Sequence, residues 1–185
     1  MRFRTFQITF TALFAAIIAV LTLIPIPFSF LGVPMTLQTF AIAFCGFLLG
    51  WKMGLCAVSL YLFLGIIGLP VFSGFQGGLQ KLIGPTGGFL YGFLLLVLLC
   101  GFARHFHRPV WRWGCGILLG IGGLLLCHAC GVLQLSAVNH ISLGAAIAGA
   151  SLPFLPKDIL SVVAAFALAE LLRRRLPFLR QIAKQ

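Results

Sequence analysis

The chain has 185 residues, of which 61% are hydrophobic and 8% charged, whereas a soluble domain carries roughly 45–50% apolar and about 25% charged residues. With a mean hydropathy of +1.14, so few charges cannot wet a globular surface, which excludes a soluble enzyme or a disordered tail and indicates an integral membrane protein. The 13 Lys and Arg against 2 Asp and Glu give a net charge of +11, a value that in a soluble chain would suggest nucleic acid.

A membrane span needs about 20 apolar residues, and six candidates follow in order: about 8–24, 36–50, 54–68, 86–103, 114–133 and 157–172. The first begins after Arg2 and Arg4. A signal peptide opens this way, but the run is long and no small-x-small site precedes a polar region, so a retained first span is predicted. Within it Ala12, Ala15, Ala16 and Ala19 form two overlapping Ala-x-x-x-Ala pairs, a spacing that lets helices approach closely. Span two opens on Thr36, Gln38 and Thr39 after Pro34. Thr36 reads as a helix cap, and Gln38 in an apolar run needs a partner, on another helix or on a ligand. Spans two and three are short, so their ends are expected against protein or in thinned bilayer.

A Gly-rich segment separates spans three and four, with Phe72, Gln76, Gly77, Gly78, Lys81, Thr86 and Gly87 in it. It is not a P-loop, since no Gly-Lys-Ser/Thr follows. The N–H groups that open span four after Pro85 could instead hold a polar group. Span five carries Cys127-His128-Ala129-Cys130, half of a metal motif with no second half, which reads as packing. Prolines fall between or beside spans and none inside one, as helix interiors require. Long runs without alternation exclude a β-barrel. The prediction is an all-α, six-span single domain over 1–185.

With the N-terminus inside, the cytoplasmic segments hold Arg2, Arg4, Lys52, Arg104, Arg108, Arg112, Arg173, Arg174, Arg175, Arg180 and Lys184, and the outer ones only Lys81 and Lys157. This asymmetry is the positive-inside pattern, and it makes the cations anchors beside anionic lipid headgroups rather than a nucleic-acid patch. The outer connections, about 25–35, 69–85 and 134–156, are longer and richer in Gly and Pro. Irregular backbone at membrane depth is tolerated where it is buried in protein or lines a cavity, so the outer half is expected to fold inward over a pocket.

Two acids are available. Glu170 lies near Arg173 and Arg174 and reads as an interfacial ion pair. Asp158 lies just inside span six, where an acid points to function; it also suits a helix N-terminus and a pair with Lys157. Lys81 and Lys157 are either solvated anchors or holders of a ligand carboxylate. Ser–His catalysis would draw on His128 or His140 with Ser136 or Ser161, but no Gly-x-Ser-x-Gly context supports it.

Four stretches, taken together and in order, resemble the BioY family: Gly32-Val33-Pro34-Met35-Thr36-Leu37-Gln38-Thr39, Gly68-Leu69-Pro70-Val71-Phe72-Ser73-Gly74, Gly84-Pro85-Thr86-Gly87-Gly88-Phe89-Leu90 and Leu152-Pro153-Phe154-Leu155-Pro156-Lys157-Asp158. The resemblance implies a biotin-binding S component of an energy-coupling factor transporter in the cell inner (plasma) membrane. It implies no catalysis, no metal and no cofactor beyond biotin as the transported ligand. Its partners would be a transmembrane T component, docked on Ala12, Ala15, Ala16 and Ala19, and two ATPase subunits; a homo-oligomer is the other arrangement left open. The implied pocket comprises Asp158, Lys157, Gln38, Thr36, Phe72, Gln76, Gly77, Gly78, Lys81, Thr86, Gly87 and Ser161, with Phe75 beside them. Asp158 would accept from the ureido N–H, Gln38 or Gln76 would reach the carbonyl, and a lysine or helix start would take the carboxylate. One position departs from the family pattern: a lysine three residues after the Asp is here Ser161, and Lys157 precedes the Asp instead. The alternatives are an S component for another small vitamin, an intramembrane hydrolase or a structural membrane subunit.

Overall fold

Apolar runs punctuated by Pro and Gly form the helices here, and a computed structural model describes residues 2–30, 33–106 and 109–176. Gly32, His107, Arg108, Pro177, Arg180 and Lys184 lie outside the described residues. The elements are α1 (Arg2–Leu23), β1 (Pro25–Phe30), β2 (Val33–Thr36), α2 (Gln38–Leu49), α3 (Trp51–Ile66), α4 (Gln80–Ile83), α5 (Gly87–Phe102), a 3-10 turn (Ala103–His105), α6 (Pro109–Asn139), α7 (Leu143–Ala150) and α8 (Leu155–Arg175).

The all-α expectation needs one amendment. The first outer connection is an antiparallel hairpin, with Pro25 opposite Thr36 and Phe30 opposite Val33. Proline holds itself and its predecessor in extended geometry, so Pro25-Ile26-Pro27 cannot continue α1. The third outer connection differs too. Residues 134–139 continue α6, and α7 follows, its first turn capped by Ser142 Oγ accepting from Ala145 N at 3.3 Å. Gln134, at the start of the expected connection, lies within α6, and its Nε2 donates to Leu82 O at 2.6 Å and Gly84 O at 2.8 Å. A polar side chain thus sits within the helix because it ties α6 to the Gly-rich segment.

Among the described residues three helices are long and apolar enough to cross a membrane, within Thr5–Leu23, Gly87–His105 and Arg112–Asn139; α7 and α8, bent by 55° at a short break, make up to four if taken as one span. α2 and α3 are shorter, with 12 and 16 residues, or about 18 and 24 Å at 1.5 Å per residue. α2 buries every residue but Phe40. It runs through the centre against α1, α3, α5 and α8, so its ends meet protein, not lipid. The outward faces are apolar instead, with Ile8, Leu13 and Val20 on α1, Leu118, Leu125 and Leu133 on α6, and Leu160 and Leu171 on α8 all exposed. An apolar exterior around an apolar core is what a lipid solvent permits.

The tightest seam joins α5 to α6. A Cβ on Gly92 would stand 2.6 Å from Cys127 Cα and 2.8 Å from its Sγ, and one on Gly88 would strike the Cys130 carbonyl. Small residues four apart let these backbones touch. Gly92→Ala is expected to cost about 2 kcal/mol by overpacking, read as a lower unfolding midpoint in detergent; an unchanged midpoint would mean the helices part freely.

Candidate functional site

The connections at one end of the helices enclose a cavity of about 420 Å³, within the size range of small-molecule sites. Its floor is apolar, from Leu90 and Phe93 on α5 and Leu124 on α6, and Phe154 adds to the wall. Polar groups enter from seven places: Thr36 at the end of β2, Gln38 and Thr39 at the start of α2, Ser73 and Gln76 in the loop after α3, Lys81 on α4, Thr86 just before α5, His128 on α6, and Lys157 and Asp158 in the first turn of α8.

Local sequence explains how each is held. The Gly74 and Phe75 backbones have φ of +75° and +57°. That left-handed pair closes a loop in which Phe72 N donates to Gln76 O at 2.9 Å and Gln76 N to Phe72 O at 3.2 Å. The loop presses Phe72 inward, edge-on to Tyr61 at 5.7 Å and flush against Gly65, where any Cβ would strike its ring. Tyr61 is fully buried and still satisfied: its hydroxyl donates to Val71 O at 3.2 Å and accepts from Gln38 Nε2 at 2.9 Å. Gln38 therefore has its partner on another helix and still lines the cavity.

Asp158 is 4% exposed. A buried carboxylate must be paired. Here Lys157 Nζ lies 2.5 Å from Oδ1 and His128 Nε2 3.2 Å from Oδ2. Lys157 also donates to Thr36 O at 2.9 Å, joining α8 to the hairpin. Adjacent helical residues do not share a face, but the long lysine side chain folds back to reach the neighbouring carboxylate. His128 continues the network, with Nδ1 3.1 Å from Ser151 Oγ and the ring edge-on to Phe89 at 5.7 Å.

The structure thus brings Asp158, Lys157, Gln38, Thr36, Phe72, Gln76, Lys81 and Thr86 around one cavity, and leaves Gly77, Gly78, Gly87 and Ser161 out of its lining. Ser161 is one turn further along α8 and buried in packing. Gly87 is buried where a Cβ would overlap Leu82 O, and at Gly77 a Cβ would overlap Leu69 O; both serve chain packing. Gly78 has φ +97° and its N–H bonds Gly65 O at 2.7 Å, a turn position. Phe75 points away and is 68% exposed. The docking stripe divides: Ala12 and Ala16 are exposed, Ala15 is in the core and Ala19 packs against it.

His128 is the residue the sequence underrated. The structure pairs it with Ser151 and Asp158; Ser136 instead donates to Ile141 O at 2.7 Å. Cys127 contacts Phe89 O at 3.5 Å through its sulfur, and among the described residues no three His, Cys, Asp or Glu side chains converge as a metal site.

A helical membrane protein with an apolar cavity at one end, walled by a paired carboxylate, is built to hold a small, largely apolar molecule with a few polar groups. The comparisons agree in kind. The BioY family model matches residues 1–178. A biotin transporter BioY of Thermotoga maritima is 36% identical over 168 residues, covering 91% of this chain and 96% of its own. That of Rhodobacter capsulatus is 38% identical over 168 residues, covering 85% and 87%. The crystal structure at 2.1 Å of the S-component for biotin from an ECF-type ABC transporter superposes with a TM-score of 0.82 at 29% identity, covering 94% of this chain and 93% of that one. The chain belongs to the BioY family.

Proposed function

We infer that this protein captures biotin at the membrane as the S component of an ECF-type importer. One observation carries the reading most directly: a buried Asp158 carboxylate, paired with Lys157 and His128, stands in the wall of a mostly apolar cavity, in a chain that resembles biotin transporters over nearly its whole length. Biotin presents a ureido ring with two N–H donors and one carbonyl, a fused apolar bicycle, and a carboxylate on a chain. Asp158 accepts from the ureido N–H, and Gln38 or Gln76 reaches the carbonyl. Phe72, Leu90, Phe93 and Phe154 cover the apolar part.

The carboxylate falls to Lys81. Lys157 is already engaged by Asp158 and by Thr36 O, and with Asp158 it forms a neutral pair. Lys81, half-buried at the same cavity, leaves one positive charge for one ligand anion. Lys81→Met is therefore expected to weaken biotin about tenfold and leave uncharged biotin amide within about threefold. An equal loss for both ligands would remove the assignment.

The site does no covalent chemistry and needs no metal or cofactor of its own; ATP hydrolysis belongs to partner subunits. Six crossings are proposed, α1, α2, α3, α5, α6 and α8, with the N-terminus cytoplasmic in the cell inner membrane. The distribution of Lys and Arg supports this, since Lys52, Arg104, Arg112 and Arg173 lie at the helix ends opposite the cavity. Ala12 and Ala16 are the part of the α1 stripe open to a T component. The test is calorimetry of biotin, desthiobiotin and thiamine on the purified chain in detergent. Saturation near one biotin per chain with thiamine silent supports the reading; saturation by another vitamin, or no heat from a monodisperse sample, overturns it.

A further inference from the structure

Asp158 can recognise a ureido group only if its oxygens are held toward the cavity, and Lys157 supplies one of those restraints. Another comes from His128. Its ring is buried, 6% exposed, in the cavity wall, and its two nitrogens have different partners from two different elements. Nε2 meets Asp158 Oδ2 at 3.2 Å and Nδ1 meets Ser151 Oγ at 3.1 Å. A carboxylate oxygen only accepts, so Nε2 carries the hydrogen. The second nitrogen is then an acceptor, which the Ser151 hydroxyl fills. Ser151 is itself buried, in the break between α7 and α8, and its backbone N donates to Ile147 O at 3.0 Å. Phe89 stands edge-on to the ring and blocks its rotation.

We propose that His128 is a positioning residue of the ligand site: with Ser151 filling its second nitrogen and anchoring the ring, it holds the Asp158 carboxylate toward the ureido N–H and acts on the ligand only through Asp158. This rests on the biotin reading above and names a residue that makes that site selective. The arrangement parallels a ligand-bearing histidine held by an outer partner, with the order reversed, because here the histidine is the outer partner. The same three side chains do not form a hydrolase. Ser151 is absent from the cavity lining, so a molecule held there does not reach its hydroxyl.

The test is a double-mutant cycle of biotin affinity on the purified full chain in detergent, with His128→Leu, Asp158→Asn and both together. His128→Leu removes the donor at similar bulk and is expected to weaken biotin about tenfold in the native background and less than about threefold with Asp158→Asn already present, because coupled residues are non-additive. His128→Gln, whose amide can donate to Oδ2, is expected to recover affinity to within about threefold of the native chain. Should His128→Leu fail to give a monodisperse sample, Ser151→Ala takes its place, with a loss of several-fold that vanishes beside Asp158→Asn. Additive losses, or no loss from His128→Leu, overturn the proposal while native binding leaves the biotin reading standing. A native chain that ignores biotin overturns both.

Discussion

Asp158→Asn is expected to weaken biotin binding by about two orders of magnitude, near 3 kcal/mol, while shifting the unfolding midpoint far less. The affinity loss has two sources. The amide is a poorer acceptor than the carboxylate for a ureido N–H, since bonds to a charged acceptor are about twice as strong. Asn also presents an NH2 group that cannot accept from the ligand. Stability suffers less because Lys157 keeps its bond to Thr36 O at 2.9 Å and is 22% exposed, so its ammonium still reaches water. The measurement is paired calorimetry and thermal unfolding on the same preparations. Unchanged affinity in a folded variant would remove Asp158 from the site, and a large fall in midpoint with it would make Asp158 a structural residue.

The large features were legible because they are one-dimensional. Apolar runs and proline positions place α2, α3, α5 and α8 within about three residues of their observed bounds, whereas α1 begins at Arg2, well before the run expected from 8. Asp158 stood out because an acid in an apolar helix has few reasons to exist. What the sequence hid was pairwise. Gln134 fell at the first position of the expected connection 134–156, and only the fold shows Leu82 O and Gly84 O waiting for its amide. His128 lay in an apolar run next to two cysteines and read as packing. Its role depends on Ser151 and Asp158, 23 and 30 residues away, at separations no spacing rule reaches. One signal was available: a lone imidazole in an apolar run must find partners, and Asp158 is the buried acid at the cavity end of α8.

The same logic misjudged the glycines. A Gly-rich segment near a pocket suggests backbone close to a ligand, yet Gly77 and Gly87 face other backbone and Gly78 makes a turn. The segment's contribution is instead to aim Phe72 and Gln76. A left-handed pair at Gly74 and Phe75 turns the chain, and the bare surface of Gly65 receives the Phe72 ring. Composition reports that such turns occur; it does not report which side chains they deliver.

Glu170→Ala is expected to show the opposite behaviour to Asp158→Asn: a loss of about 3 kcal/mol in stability with biotin affinity in the folded fraction kept within about threefold. Glu170 is 2% exposed and pairs with two guanidinium groups, Arg112 Nη2 at 2.6 Å and Arg173 Nη1 at 2.9 Å. The sequence offered Arg173 and Arg174 as its partners; the fold keeps Arg173 and adds Arg112 from α6, so the carboxylate joins α6 to α8. Removing it leaves two cations facing each other among buried groups, and Arg104 stands nearby with its Nη1 committed to Leu48 O at 2.8 Å. Glu170 lies 12 residues beyond Asp158 on the same helix, about 18 Å along its axis at 1.5 Å per residue, too far to touch the cavity. Arg112→Met should recover part of the lost stability in the Glu170→Ala background, because it removes one of the stranded charges. A variant of Glu170 that unfolds normally but binds biotin poorly would mean that the two ends of α8 are coupled, and that the ion pair at the cationic end helps set the shape of the pocket at the other.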